Sequence, residues 1–116
     1  MQDESVIVFG EALIDRLGPL GGDTSSDVPV KDCFGGAPAN VACGLSRLGV
    51  NVSFIGCVGT DAFGKNLNDL FVQRGINTTG LQKDHFRPTR VVLVRRDFDG
   101  ERSFEGFAGD KGLGFA

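Results

Sequence analysis

Val6-Ile7-Val8-Phe9 is an unbroken apolar run ended by Gly10. Such a run reads as a strand buried on both faces of a parallel sheet. Residues 18–37 are rich in Gly, Asp, Ser and Pro and read as loop. Only short edge strands fit there, because Pro29 lacks the N–H that a central strand needs. A helix is expected from Pro38, whose fixed φ suits a first helical position. Its apolar stripe is Val41, Leu45 and Leu48, and Gly49 supplies the left-handed cap. Residues 52–58 form the next strand. Asp61 then caps a second helix with the apolar face Phe63, Leu67, Leu70 and Phe71, closed by Gly75. Residues 76–81 suggest a short strand. Residues 90–96 and 102–107, joined by Asp97-Phe98-Asp99-Gly100, read as a hairpin. Strands alternating with helices predict an α/β fold with a mostly parallel sheet.

Composition narrows the function classes. The 116 residues are 41% hydrophobic and 23% charged, which fits one globular unit. The net charge is −3, Phe is the only aromatic, and no basic block occurs, so a nucleic-acid partner is not expected. No apolar run approaches membrane-spanning length, and the acidic start MQDES does not read as a signal peptide. Cys33, Cys43 and Cys57 are odd in number and widely spaced, and His85 is the only histidine. Zinc and disulfide readings are therefore poor, and reduced thiols in a cytoplasm fit best.

Two stretches carry candidate chemistry. Gly59-Thr60-Asp61-Ala62-Phe63-Gly64-Lys65-Asn66 is one residue short of the P-loop pattern G-x-x-x-x-G-K-[ST]. Asn66 stands where a hydroxyl would hold Mg²⁺, and Asp61 would place a negative charge inside an anion cradle. The expected role is a strand-to-helix turn, with Asp61 as cap and Lys65 in solvent. The second stretch is Phe34-Gly35-Gly36-Ala37-Pro38-Ala39-Asn40-Val41-Ala42. Its two glycines precede a helix start, so free amides and the positive helix end point at one spot. Asn40 adds a group that both donates and accepts, which suits a polyol. After the first strand comes Gly10-Glu11-Ala12-Leu13-Ile14-Asp15, where open α/β sheets bind ligands. On spacing alone, Asp15 also reads as a solvated loop acid and Gly35-Gly36 as a tight turn.

Together these residues resemble the ribokinase-like (PfkB-type) carbohydrate kinases. The family signature of paired glycines, Asn, a small residue and spaced glycines is met by Gly35, Gly36, Pro38, Asn40, Ala42, Gly49 and Gly59. Residues 10–15 match the family's first-strand motif and residues 58–64 its next turn. The combination FGEALID with FGGAPANVA is most similar to fructokinases. The resemblance implies that Asp15, Gly35, Gly36 and Asn40 contact the sugar. Segments of about 18–36 and 88–107 would form a β lid, with Phe107 or Phe104 touching the substrate. It also implies ATP and Mg²⁺ as cofactors, fructose as the acceptor, and a homodimer joined through lid strands in some members. Kinases for 2-keto-3-deoxygluconate or ribose and a non-catalytic sugar-binding or regulatory relative are the alternatives.

The resemblance covers the whole chain but about a third of the family's length. Family members take the γ-phosphate with a late Gly-Ala-Gly-Asp motif whose Asp is the general base. Here Phe107-Ala108-Gly109-Asp110 lacks the first glycine, so Asp110 is expected to be a turn acid and the catalytic base and ATP site to lie outside residues 1–116. A parallel sheet of about three strands with two helices leaves a face uncovered, so the chain is expected to be part of a longer protein. The expected outcome for purified residues 1–116 is no sugar-dependent ADP release. Measurable release would contradict this.

Overall fold

The structure is a computed structural model describing residues 5–21, 31–110 and 112–116. The chain runs β1 (Ser5–Phe9), β2 (Leu13–Leu20), β3 (Lys31–Gly35), α1 (Ala37–Arg47), β4 (Asn51–Gly59), α2 (Ala62–Gln73), β5 (Leu81–Asp84), β6 (Val91–Arg96) and β7 (Arg102–Ala108). Two sheets result. The first is parallel, in the order β1-β4-β5. The second has the order β3-β2-β6-β7, with one parallel pair, β2 and β6, between two antiparallel ones.

Both helices cover one face of the parallel sheet. Val8, Val52, Phe54 and Val58 on that face join Leu67 and Phe71 of α2 in a continuous core. Phe54 and Phe71 stack with ring centroids 4.6 Å apart. β1 departs from the sequence expectation. Val8 is buried, but Ile7 and Phe9 on the other face are 64% and 77% exposed, so the strand is covered on one face only among the described residues.

Helix α1 also differs. Its buried residues are Ala39 and Ala42, with Cys43 and Leu45 partly buried against the core, whereas Val41 and Leu48 are exposed. Small side chains at i and i+3 let the helix axis approach the sheet, and the larger residues turn outward. Gly49 does end the helix, with φ +84°. α2 follows its expected face, with Leu67 and Phe71 fully buried. The strand expected at residues 76–81 reduces to a single bridge between Ser53 and Asn77, and β5 begins at Leu81. Of residues 18–37, read as loop with at most short edge strands, residues 31–35 are the short edge strand β3, but residues 18–20 belong to the inner strand β2. The run Val28-Pro29-Val30 lies outside the described residues. The hairpin is present as β6 and β7, with a bulge between Leu93 and Val94.

One carboxylate joins the two sheets. Asp61, the N-cap of α2, accepts from the Gly64 N–H at 2.8 Å, from the Thr89 hydroxyl at 2.7 Å and from the Thr89 N–H at 2.8 Å. The same hydroxyl accepts from the Gly59 N–H at 2.9 Å. Thr89 is 2% exposed and stands two residues before β6. The Gly64 amide is therefore spent on an internal carboxylate and the Gly59 amide on Thr89, and a Cβ on Gly64 would overlap the carbonyl of Gly59. Lys65 points away and pairs with Asp69 one helical turn on, at 2.8 Å. The P-loop-like sequence is a clamp.

Thr89→Val keeps the shape and removes the hydroxyl, stranding the buried Gly59 N–H and taking one donor away from Asp61 Oδ1. The expected loss in urea unfolding is about 1–3 kcal/mol. Lys65→Ala, which removes only an exposed pair, is expected to leave the urea midpoint and nucleotide affinity unchanged.

Candidate functional site

The site is built where the chain leaves the parallel sheet. After β1 the backbone passes through residues 10–12 into β2. The Gly10 N–H donates to the Ile55 carbonyl at 3.0 Å. A Cβ on Gly56 would lie 2.5 Å from the Gly10 carbonyl oxygen, and one on Gly10 would overlap Pro38. A Cβ on Gly36 would lie 2.8 Å from the Glu11 carbonyl oxygen. The crossing segment is thus held between β4 and the start of α1, and only bare backbone fits. Gly36 is the N-cap of α1 at φ +98°, a conformation that disfavours any residue with a Cβ.

Asp15 lies on β2, directly opposite Cys33 on one side and Val92 on the other. Val92 in turn pairs with Phe107. Directly paired residues share a face, so Cys33, Asp15, Val92 and Phe107 form one cross-strand row. A Cβ on Gly35 would overlap the Asp15 carboxylate, which therefore rests on the bare backbone just before α1. Burial pushes the Asp15 pKa up, and the charge of Arg102 pulls it partly back. Among the described residues no donor is bonded to this carboxylate, in contrast to Asp61.

Asn40 sits one turn into α1, exposed, with its N–H donating to the Gly36 carbonyl at 3.0 Å. It lines a hollow of about 450 Å³ with Cys33, Phe34, Cys43, Arg47 and Arg74. Asp15 does not line that hollow, but its cross-strand partner Cys33 does. The structure therefore brings Asp15 and Gly35 into contact, with Gly36 next in the chain and packed on Glu11, sets Phe107 on the same face two strands away, and places Asn40 in a hollow that the Asp15 partner Cys33 also lines.

Sequence reasoning missed Arg90. Its Nη1 lies 3.1 Å from Glu11 Oε2, and its guanidinium sits over the rings of Phe107 and Phe115. As the first letter of RVVLVRR it carried no signal beyond a strand boundary. Asp110 is a turn acid, accepting from the Gly112 and Gly114 N–H groups at 2.8 and 3.0 Å. Among the described residues no group of three or more His, Cys, Asp or Glu side chains is placed to hold a metal ion. All three cysteines are free, and no described helix is long and apolar enough to cross a membrane.

Residues 3–112 match the pfkB family carbohydrate kinases. The chain is 44% identical over 100 residues to probable fructokinase-7 of Arabidopsis thaliana, covering 85% of this chain and 29% of that protein. It is 42% identical over 99 residues to the fructokinase of Escherichia coli, covering 85% and 30%. The crystal structure of fructokinase with bound ATP from Xylella fastidiosa superposes with a TM-score of 0.73 at 41% identity, covering 90% of this chain and 33% of that one. The chain thus spans about a third of the length of these relatives. With the glycine crossing and the paired-glycine helix start now located in space, the match over nearly all of the chain makes it a member of the pfkB family of carbohydrate kinases.

Proposed function

We propose that this chain forms the sugar-recognising part of a fructokinase, which transfers a phosphoryl group from ATP to the 6-hydroxyl of fructose. One observation carries the reading: a half-buried carboxylate, Asp15, rests against the Gly35 backbone at the start of α1 with no donor spent on it among the described residues. A carboxylate whose charge is disfavoured and whose acceptor capacity is unused is suited to neighbouring hydroxyls, each of which donates. Asn40 can then donate to and accept from a further hydroxyl, and the ring of Phe107 can cover an apolar face of the sugar. In this reading the four-stranded sheet serves as the lid. The relatives named above support fructose as the acceptor.

ATP and Mg²⁺ are proposed for the whole protein, not for these residues. The turn of residues 59–66 commits its Gly64 amide to Asp61 and its Gly59 amide to Thr89 and carries a carboxylate where a phosphate would sit, and no metal-binding cluster stands among the described residues. A second reading has one observation in its favour. Arg102 is close enough to Asp15 to lower its pKa, and a guanidinium there suits an acidic sugar such as 2-keto-3-deoxygluconate. Comparing kcat/KM for the two sugars decides between them, and the fructokinase reading expects fructose to win by at least about tenfold, or about 1.4 kcal/mol.

Asp15→Asn separates binding from stability. A raised pKa means that the folded state holds the proton more tightly than the unfolded state, so Asp15 costs stability as pH rises through that window. At pH 7 the Asn variant is expected to melt at the same temperature or higher, while fructose affinity measured by calorimetry falls by about tenfold or more. In the unsubstituted protein fructose affinity is expected to weaken as pH falls toward the raised Asp15 pKa, and the Asn variant loses that dependence. Unchanged affinity in Asp15→Asn would exclude the assignment.

Gly35→Ala tests the cradle without touching its charge. The new methyl displaces the carboxylate, and fructose affinity is expected to fall by about 1–3 kcal/mol, as for Asn40→Ala. Calorimetric titration of both variants reads the effect directly.

A further inference from the structure

We propose that Arg90 is a positioning residue for the sugar site, locking the backbone crossing of residues 10–12 to the aromatic wall that carries Phe107. The inference rests on the reading of Asp15 and the start of α1 as that site.

Arg90 touches the crossing, the strand that carries Asp15 and the aromatic wall. Its carbonyl accepts from the Ile14 N–H at 3.0 Å, one residue before Asp15. Its Nη1 reaches Glu11 Oε2 at 3.1 Å, and the Glu11 carbonyl is the group for which Gly36 must lack a Cβ. Its guanidinium carbon lies 5.5 Å from the ring centre of Phe107 and 6.0 Å from that of Phe115. Phe107 also meets Phe104 edge-on at 5.2 Å and Phe115 at 5.3 Å.

Stability does not account for this. The Arg90 and Glu11 side chains are 36% and 51% exposed, and an ion pair so placed contributes little. Arg90 Nε is meanwhile buried with no partner among the described residues, a cost that calls for a return elsewhere. The return is orientation. The guanidinium lies within cation–π range of two rings while donating to Glu11, and its broad delocalised group can serve all three where a compact ammonium cannot. Fixing Glu11 holds the crossing against Gly36, and fixing Phe107 sets the far end of the Asp15 row. Both walls are then ready before the sugar arrives, which lowers the ordering cost of binding.

The test uses the whole protein, with fructose as the probe, calorimetry for affinity and steady-state kinetics for the KM and kcat split. Arg90→Ala is expected to raise the fructose Kd and KM by about tenfold with kcat within about twofold. Arg90→Lys keeps the charge and is expected to recover less than half of that loss on a logarithmic scale. Glu11→Gln is expected to weaken binding by a smaller factor and to add nothing on top of Arg90→Ala, because the two act as one unit. Fructose affinity unchanged in Arg90→Ala, full rescue by Lys, or a fall in kcat at constant KM would each overturn the proposal, whatever the melting temperature. These outcomes are distinct from failure of the site itself. If the unsubstituted protein does not bind fructose, or Asp15→Asn binds it equally well, the sugar-site reading falls and Arg90's role falls with it.

Discussion

The close approach of backbone to backbone where β1 hands the chain to β2 constrains everything around it. Gly10, Gly36 and Gly56 each stand where a methyl group would strike a neighbouring backbone or ring. Their absence of side chains lets the crossing pass between β4 and the first turn of α1. That passage puts Asp15 over Gly35 and places the second sheet beside the parallel one. A single Cβ at Gly36 would push the Glu11 carbonyl away and open the corner in which Asp15 sits.

Two aspartates illustrate how chemistry is assigned by surroundings. Asp61 and Asp15 both follow a parallel strand and both lie near a helix start. Asp61 is satisfied by the Gly64 amide and by both donors of Thr89, so it serves as a structural joint. Asp15 is pressed against a glycine backbone with burial raising its pKa and no donor bonded to it among the described residues. A part-buried acid whose donors come from its own fold stabilises that fold. One that is partly desolvated and free of protein donors loses stability by ionising and has acceptor capacity left for a ligand.

The alternating strand and helix order, the caps at Asp61 and Gly49 and the β6–β7 hairpin were legible because each rests on local rules: apolar runs, an acceptor before a helix, a glycine after one. The inward face of α1 was not, because side-chain size suggested Val41 and Leu48 whereas close approach to the sheet selected Ala39 and Ala42. β2 was not read as a strand, and its last three residues were read as loop, because Arg16, Gly18 and Pro19 dilute its pattern; its neighbours β3 and β6 come from other parts of the chain. The contact of Asp15 with Gly35 and the stacking of Arg90 on Phe107 are likewise tertiary. The sequence motif named the candidates; only the strand register shows which of them share a face.

The central claim is that fructose is held between Asp15 and the first turn of α1. It is tested most directly by titrating fructose into the isotope-labelled protein and following amide resonances. The account predicts that the backbone amides of Gly35 and Gly36 and the side-chain amide of Asn40 shift together with one affinity, while those of Gly59 and Gly64 stay still. Shifts centred on Gly59 and Gly64, with Gly35, Gly36 and Asn40 unmoved, would contradict it.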